Sequence, residues 1–128
     1  MEEGDLCSVR SGEGTYSVAK ILKLDEGVTH VRVYAKTYEE RPTEVPNEEL
    51  YLGTVFDDDF GLGHLPLDAG EFEHWEPQVI RHTEVEPEEL EGYEMWRDAE
   101  DEGAGGVWGR PEPRRGPMAK LKRLLKRD

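Results

Sequence analysis

Five side chains in the first third of the chain offer donors at spacings that can bring them together. His30, Arg32, Tyr34 and Lys36 recur every second residue, so one strand would project all four from a single face, and Lys20 can join them from the preceding segment. Cationic and hydroxyl donors grouped in this way bind a phosphate, a carboxylate or an acidic peptide. The competing arrangement is neutralisation by carboxylates on neighbouring strands. The other histidines, His64, His74 and His82, lack a close metal-binding spacing, such as two histidines on one helix turn with a glutamate between them. A tertiary site built from His64, His74 and one aspartate of Asp57 to Asp59 would instead make a small metal-dependent hydrolase centred on His64. The glycines of Gly61-Leu62-Gly63-His64-Leu65-Pro66 invite comparison with a phosphate loop, but the lysine and the serine or threonine of such a loop are missing. They read as turn or bulge positions, with His64 donating to a nearby carbonyl or carboxylate. Cys7 is the single cysteine, which excludes an internal disulfide, and it reads as a small core residue rather than a nucleophile. The expectation from these residues is a protein with no catalytic residue, no bound metal and no cofactor.

The charge of the chain is divided into two opposed blocks. Of the 16 basic and 30 acidic residues, 8 and 2 respectively lie in residues 110–128, so a tail of +6 follows a body of −20. An acidic body repels nucleic acid and anionic lipid and attracts basic proteins, whereas the tail does the reverse. Within the tail, Met118, Leu121, Leu124 and Leu125 fall near one helical face, interleaved with Lys120, Lys122, Arg123, Lys126 and Arg127. A helix of about ten residues is marginal alone and needs a surface to fold against. Three surfaces qualify: nucleic-acid phosphates, an anionic membrane, and an acidic protein surface, either its own or a neighbour's. The acidic protein surface is preferred because the body is already tethered at high effective concentration, and membrane is the least favoured partner. Trp108, between Gly106-Val107 and Gly109, has no obvious core to enter and is expected to dock back on the body or to anchor a partner.

The elements that must position these groups are short. Gly4–Arg10, Tyr16–Leu24 and Val28–Lys36, separated by Ser11-Gly12-Glu13-Gly14 and Asp25-Glu26-Gly27, predict a three-stranded meander whose third strand is half-buried. Arg41–Asn47 carries two prolines and is expected to be a loop. Further strands are expected at Leu50–Phe56, at Leu62–Leu67 with Pro66 marking an edge or a strand end, and at Gln78–Val85. Asp68 is placed to cap a short helical turn through Phe72 and Trp75, which Pro77 stops. Pro87-Glu88-Glu89 opens a second short helix with Leu90, Tyr93 and Trp96 on its apolar face, closing over the sheet. Residues 1–96 then form one domain, 97–117 an acidic and glycine-rich, then proline-rich linker, and 118–128 a basic amphipathic tail.

The opening meander resembles the SH3-like and Tudor-like small β-barrels. The residues that carry the likeness are Gly4-Asp5-Leu6-Cys7-Ser8-Val9, Gly14 to Leu22 and Val31-Arg32-Val33-Tyr34, within residues 4–40. Tudor-like readers hold a methylated lysine or arginine in an aromatic cage, and the resemblance implies Tyr16, Tyr34 and Tyr38 as its analogue here. A looser likeness, of size and acidity, is to small acidic bacterial immunity proteins, which use surface carboxylates to complement a basic toxin.

The sequence thus predicts a mainly β (α+β) fold, a small, strongly bent antiparallel sheet or SH3-like barrel with one or two short helices and a basic tail helix. The expected role is a non-enzymatic cytosolic module that binds a basic protein partner, as an immunity-type inhibitor or adaptor. The expected contact residues are Tyr16, His30, Arg32, Tyr34, Tyr38, Trp108 and the basic residues of the tail. The alternatives are a nucleic-acid-associated regulator acting through that tail and the hydrolase centred on His64. An acidic start and the lack of any long apolar run point to the cytosol.

Overall fold

The structure is a computed structural model and describes residues 1–54, 56, 61–101 and 106–109. It is mainly β. Strands β1 (Asp5–Arg10), β2 (Tyr16–Asp25), β3 (Val28–Val33), β4 (Leu62–Asp68) and β5 (Gln78–His82) form one antiparallel sheet in the order β4-β3-β2-β1-β5. Helix α1 (Ala69–His74) lies between β4 and β5, and α2 (Glu91–Asp101) follows β5. The first four strands are an up-and-down meander, and β5 returns to pair with β1. Pro66 fits because β4 is an edge strand.

Alternation along the strands feeds two cores. Cys7, Val9, Ala19, Ile21 and Val31 pack on one face with Leu67 and with Phe72 of α1. Leu6 and Val18 point the other way, into a cluster with Tyr34 and Val45 that Tyr38, Leu50, Leu52 and Ile80 cover. Both faces of the sheet are therefore covered, which corrects the expectation of a half-buried third strand. His30 and Thr29 are buried alongside Val31, and Lys20 is buried in β2. Register shifts between Ile21 and Lys23 and between Val31 and Val33 re-aim the side chains around them.

The caps behave as their sequence implies. The Asp68 carboxylate accepts the Gly70 amide at the start of α1. Before α2, Glu86 and Glu89 form a reciprocal capping box around a 3-10 turn at Pro87–Leu90.

Three boundaries differ from expectation. Residues 50–54 form no strand; the Tyr51 and Leu52 carbonyls accept single bonds from the Ala35 and Gly61 amides, and the Leu50 amide closes a 3-10 turn onto Asn47. The third strand ends at Val33: the Tyr34 amide still donates to the Val18 carbonyl of β2, but the Ala35 amide donates to the Tyr51 carbonyl, outside the strands of the sheet. Helix α2 continues past Trp96 to Asp101, with Arg97 donating one turn back to the Tyr93 hydroxyl at 2.7 Å. Among the described residues, no helix is long and apolar enough to cross a membrane.

Candidate functional site

Of the donors expected on one strand face, Lys20 and Arg32 are engaged by the chain's own acceptors. Lys20 Nζ donates to Glu89 Oε1 at 2.9 Å and to the Glu84 carbonyl at 2.6 Å, while Arg32 lies 3.5 Å from Glu89 Oε2 and donates to the Gly63 carbonyl. The neutralising carboxylate comes from the turn before α2, 69 residues along the chain from Lys20, rather than from a neighbouring strand. Burial pushes the Glu89 carboxyl up, but the Glu86 amide, Lys20 and Arg32 outweigh it and hold the group below its usual range. A cavity of about 430 Å³ beside this network is also lined by Tyr34, Arg81 and Glu84. Arg81 is itself engaged with Asn47 Oδ1 at 2.6 Å and with the Val45 carbonyl.

His30 lies in a string of hydrogen bonds under α2. Its Nε2 is 3.2 Å from Asp25 Oδ2 and its Nδ1 is 2.9 Å from His64 Nε2, while the Tyr93 and Trp96 rings meet it edge-on at 4.7 and 4.6 Å. The Asp25 carboxylate can only accept, so His30 donates from Nε2 and accepts at Nδ1 from His64. That leaves the lone pair of His64 on Nδ1. Burial, aided by His30, lowers the His64 pKa to about 4; burial also lowers that of His30, against the pull of Asp25. The pair is neutral at pH 7 and joins β3, β4 and α2.

The hydrolase reading requires metal ligands around His64. Among the described residues, the group whose ligand atoms lie close enough to share an ion is Glu2, Asp5 and His82; Asp57 to Asp59 lie outside the described residues. That group is explained structurally, because Asp5 accepts from the Glu2 amide and from His82 Nδ1 at 2.9 Å where β1 meets β5.

The three tyrosines are neighbours, but cations of the chain itself already lie over the rings of Tyr16 and Tyr38. Tyr16 and Tyr38 exchange backbone hydrogen bonds, and Tyr38 packs against the cluster that contains Tyr34. The Arg41 guanidinium lies 4.9 Å over Tyr16 and Lys36 Nζ lies 5.3 Å over Tyr38. Tyr34 is buried, and burial together with Glu89 raises its hydroxyl pKa to about 12. At Tyr16 and Tyr38 the chain's own cations thus lie where a ligand cation would stack. Arg41 is further tied to Ser8 and to the Glu76 carbonyl.

Trp108 behaves differently. Its amide donates to the Pro66 carbonyl and its carbonyl accepts from the Asp68 amide, both at 2.8 Å, so residues around Trp108 bridge to the outer edge of β4 in parallel. The Trp96 indole holds the same segment by donating to the Gly106 carbonyl at 2.7 Å. The backbone is held by these bonds, yet Trp108 is 65% exposed. With Leu62, Leu65, Leu67, Trp75 and Gly109 it lines an apolar groove of about 260 Å³. The charged residue in its lining is Glu71, whose carboxylate accepts the Trp75 indole at 3.2 Å. Gly109, at φ +85°, passes so close that a Cβ there would lie 2.4 Å from Glu71 Cβ.

Of the residues singled out in the sequence, Lys20, Arg32 and Tyr34 meet at the polar cavity, His30 joins His64, Trp108 opens the groove, and the basic residues of the tail lie outside the described residues. Sequence reasoning passed over Asp25, Glu89, Arg41 and the groove partners Leu62, Leu65 and Trp75. Glu89 carried a capping signal, but nothing local announces its long-range partners. The chain matches no protein family, no curated protein and no solved structure, so a functional reading rests on the geometry.

Proposed function

We propose that this chain is a non-enzymatic protein-binding module of the cytosol whose groove takes apolar side chains from a basic, amphipathic segment of a partner. The observation that carries the reading is the groove itself. Its backbone is pinned, its aromatic wall is open to solvent, and its volume suits one or two side chains better than a cofactor. Around it stands a body of net −20, which favours a partner whose flanking charges are positive. The SH3-like barrel is the finer description of the fold that we favour, supported by a meander whose last strand returns to the first. An immunity-type inhibitor or an adaptor would be the specific form of such a module.

The test is titration of the 128-residue chain with two helical peptides, one of leucine and lysine and one of leucine and glutamate, followed by tryptophan fluorescence and calorimetry. The leucine–lysine peptide is expected to bind in a salt-sensitive manner and about ten-fold or more weakly to Trp108→Ala, as for an anchoring tryptophan. Binding that is indifferent to Trp108→Ala places the contact elsewhere. If neither peptide binds and a duplex oligonucleotide does, the regulator acting through the basic tail replaces this reading.

A further inference from the structure

We infer that the groove beside Trp108 is the docking site of the chain's own residues 118–128, with which a partner's basic, amphipathic segment would compete. The inference rests on the functional reading of that groove and names its resident occupant.

Position is the first argument. Gly109 lines the groove, so the residues that follow it start at the groove rim. The connection from Arg110 to Pro117 is 8 residues long and contains Pro111, Pro113 and Pro117. At ~3.1 Å per residue in extended polyproline form, such a connection reaches about 25 Å, which keeps residues 118–128 near the groove at an effective concentration on the order of millimolar. Chemistry is the second argument. The tail offers Met118, Leu121, Leu124 and Leu125 to a groove walled by Leu62, Leu65, Trp75 and Trp108. Charge is the third. The tail block is +6 and the body −20, and the groove's charged lining residue is the carboxylate of Glu71.

A nitroxide on the complete chain tests the inference. Cys7 is buried in β1, so an Ala119→Cys variant offers one accessible thiol for labelling. In nitrogen-15 spectra at low salt, the indole signals of Trp75 and Trp108 are expected to lose most of their intensity while the label is oxidised. They should recover it when the label is reduced, and the loss should be distinctly smaller in Ala119→Cys carrying Leu121→Asp and Leu125→Asp, where the tether alone keeps the label near. Broadening spread over the acidic surface but sparing the groove overturns the inference. So does broadening that appears only between labelled and isotope-enriched chains mixed together, because the occupant is then the tail of a second copy. The two readings separate cleanly. If the label ignores the groove but the leucine–lysine peptide binds there, only the resident occupant is wrong; if that peptide also fails, the binding function falls with it.

Discussion

A carboxylate shared by the buried Lys20 and the half-buried Arg32 sets the strongest demand at the scale of single residues. The side chains of Lys20 and Glu89 are 7% and 12% exposed, so removing either leaves a charge without its partner in a poorly hydrated place. Glu89→Ala is expected to destabilise the fold by about 3–5 kcal/mol in urea unfolding. Joint replacement by Lys20→Met and Glu89→Leu should cost distinctly less, because the desolvation penalty leaves with the charges. Equal losses in the single and double variants would mean that the pair is hydrated and weak. The histidine string makes a demand of another kind. The His64 pKa is about 4 in the folded chain against an ordinary 6.5, so between those values the unfolded chain binds the additional proton. Stability from this group is complete above pH 6.5 and is lost as the pH falls towards 4. Imidazole carbon–proton resonances followed by NMR should place the His64 midpoint near 4; a midpoint near 6.5 would mean that the string is open to water.

At the scale of elements, the approach of α2 to β4 decides the sign of a substitution that helix propensity alone gets wrong. Gly92 lies in the first turn of α2, and a Cβ there would lie 2.6 Å from the His64 Cβ. Alanine ordinarily favours a helix over glycine by about 1 kcal/mol. Here the clash is with the root of a side chain fixed by its strand, and Gly92→Ala is expected to destabilise by about 1–3 kcal/mol in urea unfolding, as overpacking does. A stabilised variant would show that α2 is free to lift from the sheet. The same contact explains what the sequence could and could not tell. Glycine-containing turns between runs of period two made the β1–β3 meander legible, and Asp68 and Pro87 announced the two helix starts. Alternation names the side chains that point inward, but it cannot say whether a later element covers the opposite face. The burial of Lys20 and His30 was therefore hidden, since their covers, Glu89 and Tyr93, belong to elements far along the chain. Residues 50–54 had strand-like composition without a continuous pairing partner, and Trp108 had a docking edge that only the fold creates.

At the scale of the whole molecule, charge makes two opposite responses to salt. The −20 body repels itself, and added salt shortens the range of that repulsion from about 10 Å at 0.1 M to about 3 Å at 1 M. The Lys20–Glu89–Arg32 network, whose side chains are 7%, 12% and 20% exposed, is screened less than the surface charges. Sodium chloride should therefore raise the thermal midpoint of the domain, by about 2–5 °C, which is the shift that a stabilisation of less than 1 kcal/mol gives a domain of this size. An attraction between the +6 tail and the body must weaken over the same range, so the fold tightens while the tail is released. Circular dichroism melts read the first response, and peptide affinity for the groove reads the second. A midpoint that falls as salt rises would mean that exposed ion pairs, such as Arg10–Glu76, outweigh the repulsion, and the acidity could then no longer be treated as a reserve held for a basic partner.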